Sequence, residues 1–255
     1  MISTETRGEV GVVRLDRPER RNALVPEQMQ ALVAELRRAG SRCRAVVLTG
    51  AGPTFCPGAD LRWLASFGDP ALGVAELVAV HHLAISTLLD MPVPVVAAIN
   101  GAVAGGGLGL ALAADYRLAA ESASFTAAYF RLGLTVDGGA SVFLTRTVGV
   151  ARTLELLLTN RRVAADEALE LGLVNQVVDD AELLDRATAF AASLVRVPAY
   201  TMLSTRRLLD LAGIRNQLQL ESVAIRTAAK LPHFRQALHE LVDGRPGAAE
   251  RPPPA

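Results

Sequence analysis

Apolar positions in this chain alternate between short β-branched runs and longer stretches with helical spacing. Val10 to Leu15, Ala45 to Leu48 and the VVAAI run from Val95 read as buried strands, being brief, apolar and bounded by turn residues. Pro26 opens a helix with Met29, Leu32, Val33 and Leu36 on one face, closed by Gly40. Ala75 to Asp90 reads as another, with stripes at Leu77, His81, Ala84, Leu88 and at Val78, His82, Ile85, Leu89. The segments 49–58, 66–74 and 132–140 are rich in glycine and read as loops, the second of them mobile. Short strands are expected near 116–119, 123–126 and 173–178, and helices over 141–147, 151–158 and 165–171. From Ala181 the spacing is helical only, over 181–195, 198–211, 217–230 and 232–242. The pattern predicts an α/β core domain over 1–195, a C-terminal helical module over 196–243 and a disordered tail over 244–255.

The most informative stretch is MPVPVVAAINGAVAGGGLGLALAADYRLAA, from Met91 to Ala120. A strand ends at Asn100-Gly101, and a helix follows the glycines at 105, 106 and 107. Where side chains are missing at a helix start, unpaired main-chain N–H groups and the positive end of the helix dipole meet a ligand directly. An oxyanion site built from backbone is therefore expected. Asn100, the glycines and the two prolines argue against a membrane span here, and Leu110 stands where a dinucleotide fingerprint needs its third glycine.

The chain has 255 residues, 51% of them hydrophobic, enough for a large core. Lys+Arg and Asp+Glu both total 26, and aromatic content is 4%, so neither a nucleic acid nor a membrane surface is favoured as a partner. Two cysteines make no disulfide framework and no apolar leader precedes Val10, which leads us to expect a cytoplasmic protein. No metal-ligand spacing and no G-x-S-x-G elbow occur, so no metal is expected.

Four segments together resemble the crotonase superfamily, the enoyl-CoA hydratase/isomerase family: LDRPERRNAL (15–24), FCPGADLRWL (55–64), the glycine-triplet stretch, and LTNRRVAADEALELGLVNQVV (158–178). The resemblance implies a spiral of ββα units with a C-terminal helical module, assembled as a homotrimer or a dimer of trimers. The implied ligand is an acyl-CoA thioester; coenzyme A is part of the substrate and no separate cofactor is needed. The oxyanion donors it implies are the N–H groups of Ala59 and Gly106. Arg21, Ala23, Asp60, Leu61 and Arg62 are implied contacts for the coenzyme A portion, and Phe234 for the C-terminal region.

Hydratases of the family use two glutamates, and at those places this chain has Gly109 and Tyr129. Asp137, in LTVDGG, matches the single acid/base of several family isomerases and the nucleophile of its dehalogenases. We expect an isomerase, with apolar Leu132, Leu134 and Val136 raising the pKa of Asp137. His82 and Tyr129 fall near a histidine and a tryptophan of an aromatic-acyl dehalogenase and, with Leu132, are expected at the substrate pocket. Trp63 and His81 read as packing or rim residues.

Overall fold

The computed structural model describes residues 1–209 and 213–244; the tail expected beyond Gly244 lies outside them. β1 (Ile2–Arg7) pairs antiparallel with β2 (Val10–Leu15), and α1 (Pro26–Arg42) follows. Three ββα units come next. They are β3 (Ala45–Gly50) and β4 (Thr54–Cys56) with α2 (Leu61–Ala65) and α3 (Pro70–Leu89); β5 (Val95–Ile99) and β6 (Ala102–Ala104) with α4 (Gly106–Leu112); and β7 (Tyr116–Ala120) and β8 (Ser124–Thr126) with α5 (Ala140–Thr159). β9 (Val163–Ala164), α6 (Ala165–Glu170) and β10 (Gln176–Val178) close the spiral, and α7 (Leu183–Ser193), α8 (Ala199–Leu208), α9 (Gly213–Ala228) and α10 (Pro232–Val242) complete the chain.

Each unit gives its first strand to one sheet and its second to another. The larger sheet has the order β1-β2-β3-β5-β7-β10 and the smaller β4-β6-β8-β9. The sharp corner between them sets the local sequence: a Cβ on Gly101, between β5 and β6, would stand 2.0 Å from the Pro53 carbonyl oxygen. Two apolar layers cover the larger sheet. One packs α1, α3 and α4 through Met29, Leu36, Ile85, Leu88 and Leu110; the other packs Leu183, Ala187 and Ala191 of α7 against Val12, Val47 and Val96.

Several boundaries differ from the sequence reading. β4 lies in a segment read as loop, and β6, between the Asn100-Gly101 turn and the glycines, was not anticipated; runs of three residues carry no periodicity. β1 was not anticipated, since STETR lacks an apolar run, yet its backbone pairs along all six residues. α3 starts at Pro70 rather than Ala75: the Asp69 side chain accepts from the Ala71 N–H (3.2 Å) and proline occupies the first helical turn. α5 is continuous in outline but broken at Gly149 (φ 77°), as the two separate helical runs implied. By length and composition α3 could cross a membrane, but its Leu77, Ala84, Ile85 and Leu88 are packed in the core.

The C-terminal helices dock through specific polar contacts as well as apolar ones. Buried Arg206 of α8 donates to Asp115 Oδ1 (3.0 Å) and to the carbonyls of Met91 and Val93, so that Asp115, whose Oδ2 accepts from Val95 N–H (2.7 Å), holds the entry to β5. Phe234 and Leu238 of α10 pack with Leu64, Val74 and Leu134, placing α10 beside the loop that carries Asp137.

Candidate active site

Two glycine-bearing turns meet at the centre of the molecule. Leu24 N–H donates to Gly58 O (2.8 Å) and Asp60 N–H to Leu24 O (2.9 Å), so the intervening Ala59 N–H takes no part in that ladder. Asp60 caps α2, accepting from the amides of Arg62 and Trp63 (3.2 Å each), and pairs with Arg17 Nη2 (3.1 Å). Across the gap, Gly105 (φ 49°) precedes α4, leaving Gly106 N–H in the first, unpaired turn of that helix. A Cβ on Gly58 would stand 3.2 Å from Gly106 N, so the two turns are in contact. Both open on one cavity of about 220 Å³, walled by Leu24, Leu61, Val78, Leu134 and Ile225.

Asp137 lines the same cavity and is only 4% exposed. His81 and His82, consecutive on α3, reach it from two sides. His81 Nδ1 lies 3.5 Å from one carboxylate oxygen, and His82 Nε2 makes a very short contact with the other. His81 Nε2 is 3.0 Å from Gly106 O, and a carbonyl only accepts, so that nitrogen carries a hydrogen. His81 Nδ1 can then bond Asp137 only through a proton shared by the pair. One ring thus links the Asp137 carboxylate to the turn carrying the Gly106 amide.

The loop holding Asp137 is fixed from behind. Tyr129 O–H donates to Asp137 O (2.8 Å), while the N–H groups of Gly139 and Ser141 donate to the Glu221 carboxylate of α9 (2.7 and 3.1 Å). Burial pushes Glu221 upward in pKa, against its bonds to Ser141 and Gly139, and burial also raises the Tyr129 hydroxyl. For Asp137 burial acts upward too, but the hydrogen bonds and charges of His81 and His82 outweigh it and hold the carboxyl below its ordinary range. This corrects the expectation that apolar neighbours would raise it: the imidazoles bond the carboxylate directly.

Of the residues expected from sequence, Ala59, Leu61, Gly106, Tyr129, Leu132 and Asp137 line the cavity together. His82 does not: it touches Asp137 from outside the cavity and faces a separate groove. Phe234 is wholly buried in the packing under α10, with no surface for a ligand. Asp60 is occupied as a cap and ion-pair partner, and Ala23 is buried with its carbonyl accepting from Arg17 Nη1 (2.6 Å). Arg21 and Arg62 are exposed and lie off the cavity wall.

His81 was read as packing and is instead part of the site, while Trp63, partly buried, does pack against the buried cluster of Leu64, Val74 and Phe234. Glu221 was missed, although a legible signal existed: it falls on the buried stripe Ile214, Leu218, Glu221, Ile225 of an amphipathic helix. The fold also brings single ligand atoms of His82, Asp137 and Glu221 within 4.8 Å of one another, a grouping that sequence spacing hides. The three are already engaged, His82 and Asp137 on each other and Glu221 on two main-chain amides.

Comparison with known proteins agrees with this geometry. The model of the enoyl-CoA hydratase/isomerase family matches residues 5–228. A probable enoyl-CoA hydratase of Rhodobacter capsulatus is 37% identical over 245 residues, covering 93% of each chain. Two relatives at 35% identity carry other names: a 4-chlorobenzoyl coenzyme A dehalogenase of Arthrobacter sp (78% of this chain, 74% of that one) and the 1,2-epoxyphenylacetyl-CoA isomerase of Escherichia coli (92% and 93%). The crystal structure of an enoyl-CoA hydratase from Bacillus halodurans superposes with a TM-score of 0.85 at 27% identity, covering 93% of this chain and 98% of that one. A spiral of ββα units, two glycine turns converging on one cavity and a family match spanning both together establish that this chain belongs to the enoyl-CoA hydratase/isomerase family, whose members act on acyl-CoA thioesters.

Proposed function

We propose that this member shifts a carbon–carbon double bond, converting a 3-enoyl-CoA into its conjugated 2-enoyl isomer. The observation that carries the reading is that Asp137 is the one carboxylate among the described residues lining the cavity into which the Ala59 and Gly106 turns open. The two amides polarise the thioester carbonyl and stabilise the charge that develops on its oxygen when the α proton leaves. A comparable donor in other enzymes is worth about 3–4 kcal/mol of transition-state stabilisation. Asp137, held ionised by its histidines, takes the α proton; the electron pair delocalises over the dienolate; the same acid returns the proton to the γ carbon. One group serves both carbons, so a second carboxylate is unnecessary.

Addition of water, as the names of several relatives would suggest, needs a second acid or base. At the two places where the family's hydratases carry glutamates, this chain has Gly109, packed against main chain, and Tyr129, committed to Asp137 O. The E. coli relative, 35% identical, is named a 1,2-epoxyphenylacetyl-CoA isomerase. At about 220 Å³ the cavity is smaller than the ~300–1,000 Å³ of typical drug-sized ligand pockets, which suits the acyl end of the ligand with coenzyme A outside.

A second reading has a specific observation behind it. A buried aspartate with a depressed pKa and an imidazole on one oxygen is also suited to nucleophilic attack on a haloaromatic ring, and the Arthrobacter relative is named for such chemistry. Adding 3-enoyl-CoA and following the absorbance of the conjugated thioester tests the isomerase. Chloride release from a chloroaroyl-CoA tests the alternative, and binding with neither turnover would mark a non-catalytic acyl-CoA binder.

A further inference from the structure

The side chains walling the acyl cavity are apolar except for His81, Tyr129, Arg131 and Asp137. Three of these are committed to one another: His81 and Asp137 are in contact, and Tyr129 O–H donates to Asp137 O (2.8 Å). Arg131 is not. Its side chain makes no hydrogen bond or ion pair among the described residues, whereas Arg17, Arg117, Arg161 and Arg206 each bond a carboxylate or a carbonyl. It is exposed, so it stands at the rim of the cavity. The turn that bears it is firmly placed. Phe130–Leu132 is a single 3-10 turn in which Gly133 N–H donates to Phe130 O (2.9 Å) and Leu134 N–H to Tyr129 O (3.1 Å). Behind it α10 closes in: a Cβ on Gly133 (φ 66°) would stand 3.4 Å from His233 Cβ.

We propose that Arg131 receives a second carboxylate at the far end of the acyl chain, so that the substrate is the mono-CoA thioester of an unsaturated dicarboxylic acid. The inference rests on the isomerase reading. In that reading the thioester oxygen is held at the Ala59 and Gly106 amides, and the α and γ carbons lie at Asp137. Arg131 shares a segment with Asp137, on the acyl side of the thioester. A chain that continues past the γ carbon along Tyr129, Leu132 and Leu134 therefore ends at its guanidinium. A methyl end would offer that cation nothing that water does not. A carboxylate forms a forked, charge-assisted bond to it. With the acyl chain filling the cavity and displacing its water, that bond is stronger than a pair on open surface. The same cation offsets repulsion between the incoming carboxylate and ionised Asp137. The coenzyme A phosphates are the rival anions, but they lie on the other side of the thioester from the acyl chain.

Turnover of 3-hexenedioyl-CoA and 3-octenedioyl-CoA, each against the monocarboxylic 3-enoyl-CoA of equal length, reads the proposal as a ratio of kcat/KM. Wild-type protein is expected to prefer the dicarboxylic thioester at one length or both. Arg131→Gln should cut that preference about tenfold, within the range for a hydrogen bond to a charged group, with the loss appearing in KM. A wild type that favours the dicarboxylic thioester at neither length overturns the proposal. So does a variant whose losses on the two classes are equal, the result expected if Arg131 pairs with a coenzyme A phosphate or with water alone. If neither class is isomerised, it is the isomerase reading that has failed. The proposal is then judged by calorimetry with saturated hexanedioyl-CoA and hexanoyl-CoA. Tighter binding of the dicarboxylic thioester by wild type but not by Arg131→Gln supports it, and equal binding of the two by wild type overturns it.

Discussion

A Cβ on Gly109 would stand 2.2 Å from the carbonyl oxygen of Gly138, the residue next to Asp137. α4 and the aspartate loop are thus in main-chain contact at the place where a hydratase of this family carries a carboxylate. Gly109→Glu should therefore not create a hydratase. We expect a destabilised protein, by about 1–3 kcal/mol or more as for other overpacked cores, with no gain in water addition to a 2-enoyl-CoA. Thermal melting and a hydration assay on the same sample check both halves.

Glu221 accepts two main-chain N–H groups of the loop that bears Asp137, using both carboxylate oxygens. Glutamine at 221 has one acceptor oxygen and leaves one buried amide unpaired, a loss on the order of 1–3 kcal/mol. The expected result is a lower Tm and a lower kcat with little change in KM, because the loop that aims the acid is loosened while the acyl cavity is intact. A kcat equal to that of wild type would separate Glu221 from the site.

The Asp137 carboxyl is held below its ordinary range, so the unfolded chain binds more protons than the folded one between the two values. The associated stability is complete above the unfolded value, about 3.9, and is lost as pH falls through the lower, folded one. Glu221 works in the opposite direction: its folded pKa is raised, so its contribution is complete at low pH and is lost as pH rises through that raised value. Denaturant melts at acid pH should show a shallower dependence below about pH 4 for Asp137→Asn than for wild type. Parallel curves would contradict the depressed value.

Both cysteines are buried, and burial raises the Cys56 thiol to about 12. Because the thiolate is the reactive form, native protein should resist thiol reagents at neutral pH and react at both cysteines only after unfolding. Ellman titration with and without denaturant measures this; rapid labelling of Cys56 in the native protein would show the loop around Ala59 to be open.

Much of the framework was legible because its physics is local. The runs VGVVRL, AVVLTG and VVAAI are strands on composition alone, and the glycines at 105–107 mark a helix start free of side chains. The partners of Asp137 were only partly legible: the resemblance placed His82 and Tyr129 at the pocket, but periodicity gave no sign that either histidine reaches the aspartate. His81 and His82 lie 56 and 55 positions away on a helix whose stripes assign both to the core, and only the ββα spiral brings that helix over the aspartate loop. Periodicity reports which face of α3 is buried but not whether the burying neighbour is a leucine or a carboxylate. That omission also reversed the expected pKa shift. Glu221 shows the more recoverable case: an acid on an apolar stripe is a buried charge requiring partners, and the glycine loop supplies them.

We propose that one acid, Asp137, facing two main-chain amides across a single cavity, moves the proton. Turnover of 3-enoyl-CoA by Asp137→Asn, compared with wild type at matched acyl-CoA occupancy, tests it most directly. We expect kcat to fall by about 10²–10⁴, the range for loss of a general acid–base group, with acyl-CoA binding preserved. Isomerisation at the wild-type rate by that variant would show that Asp137 does not move the proton.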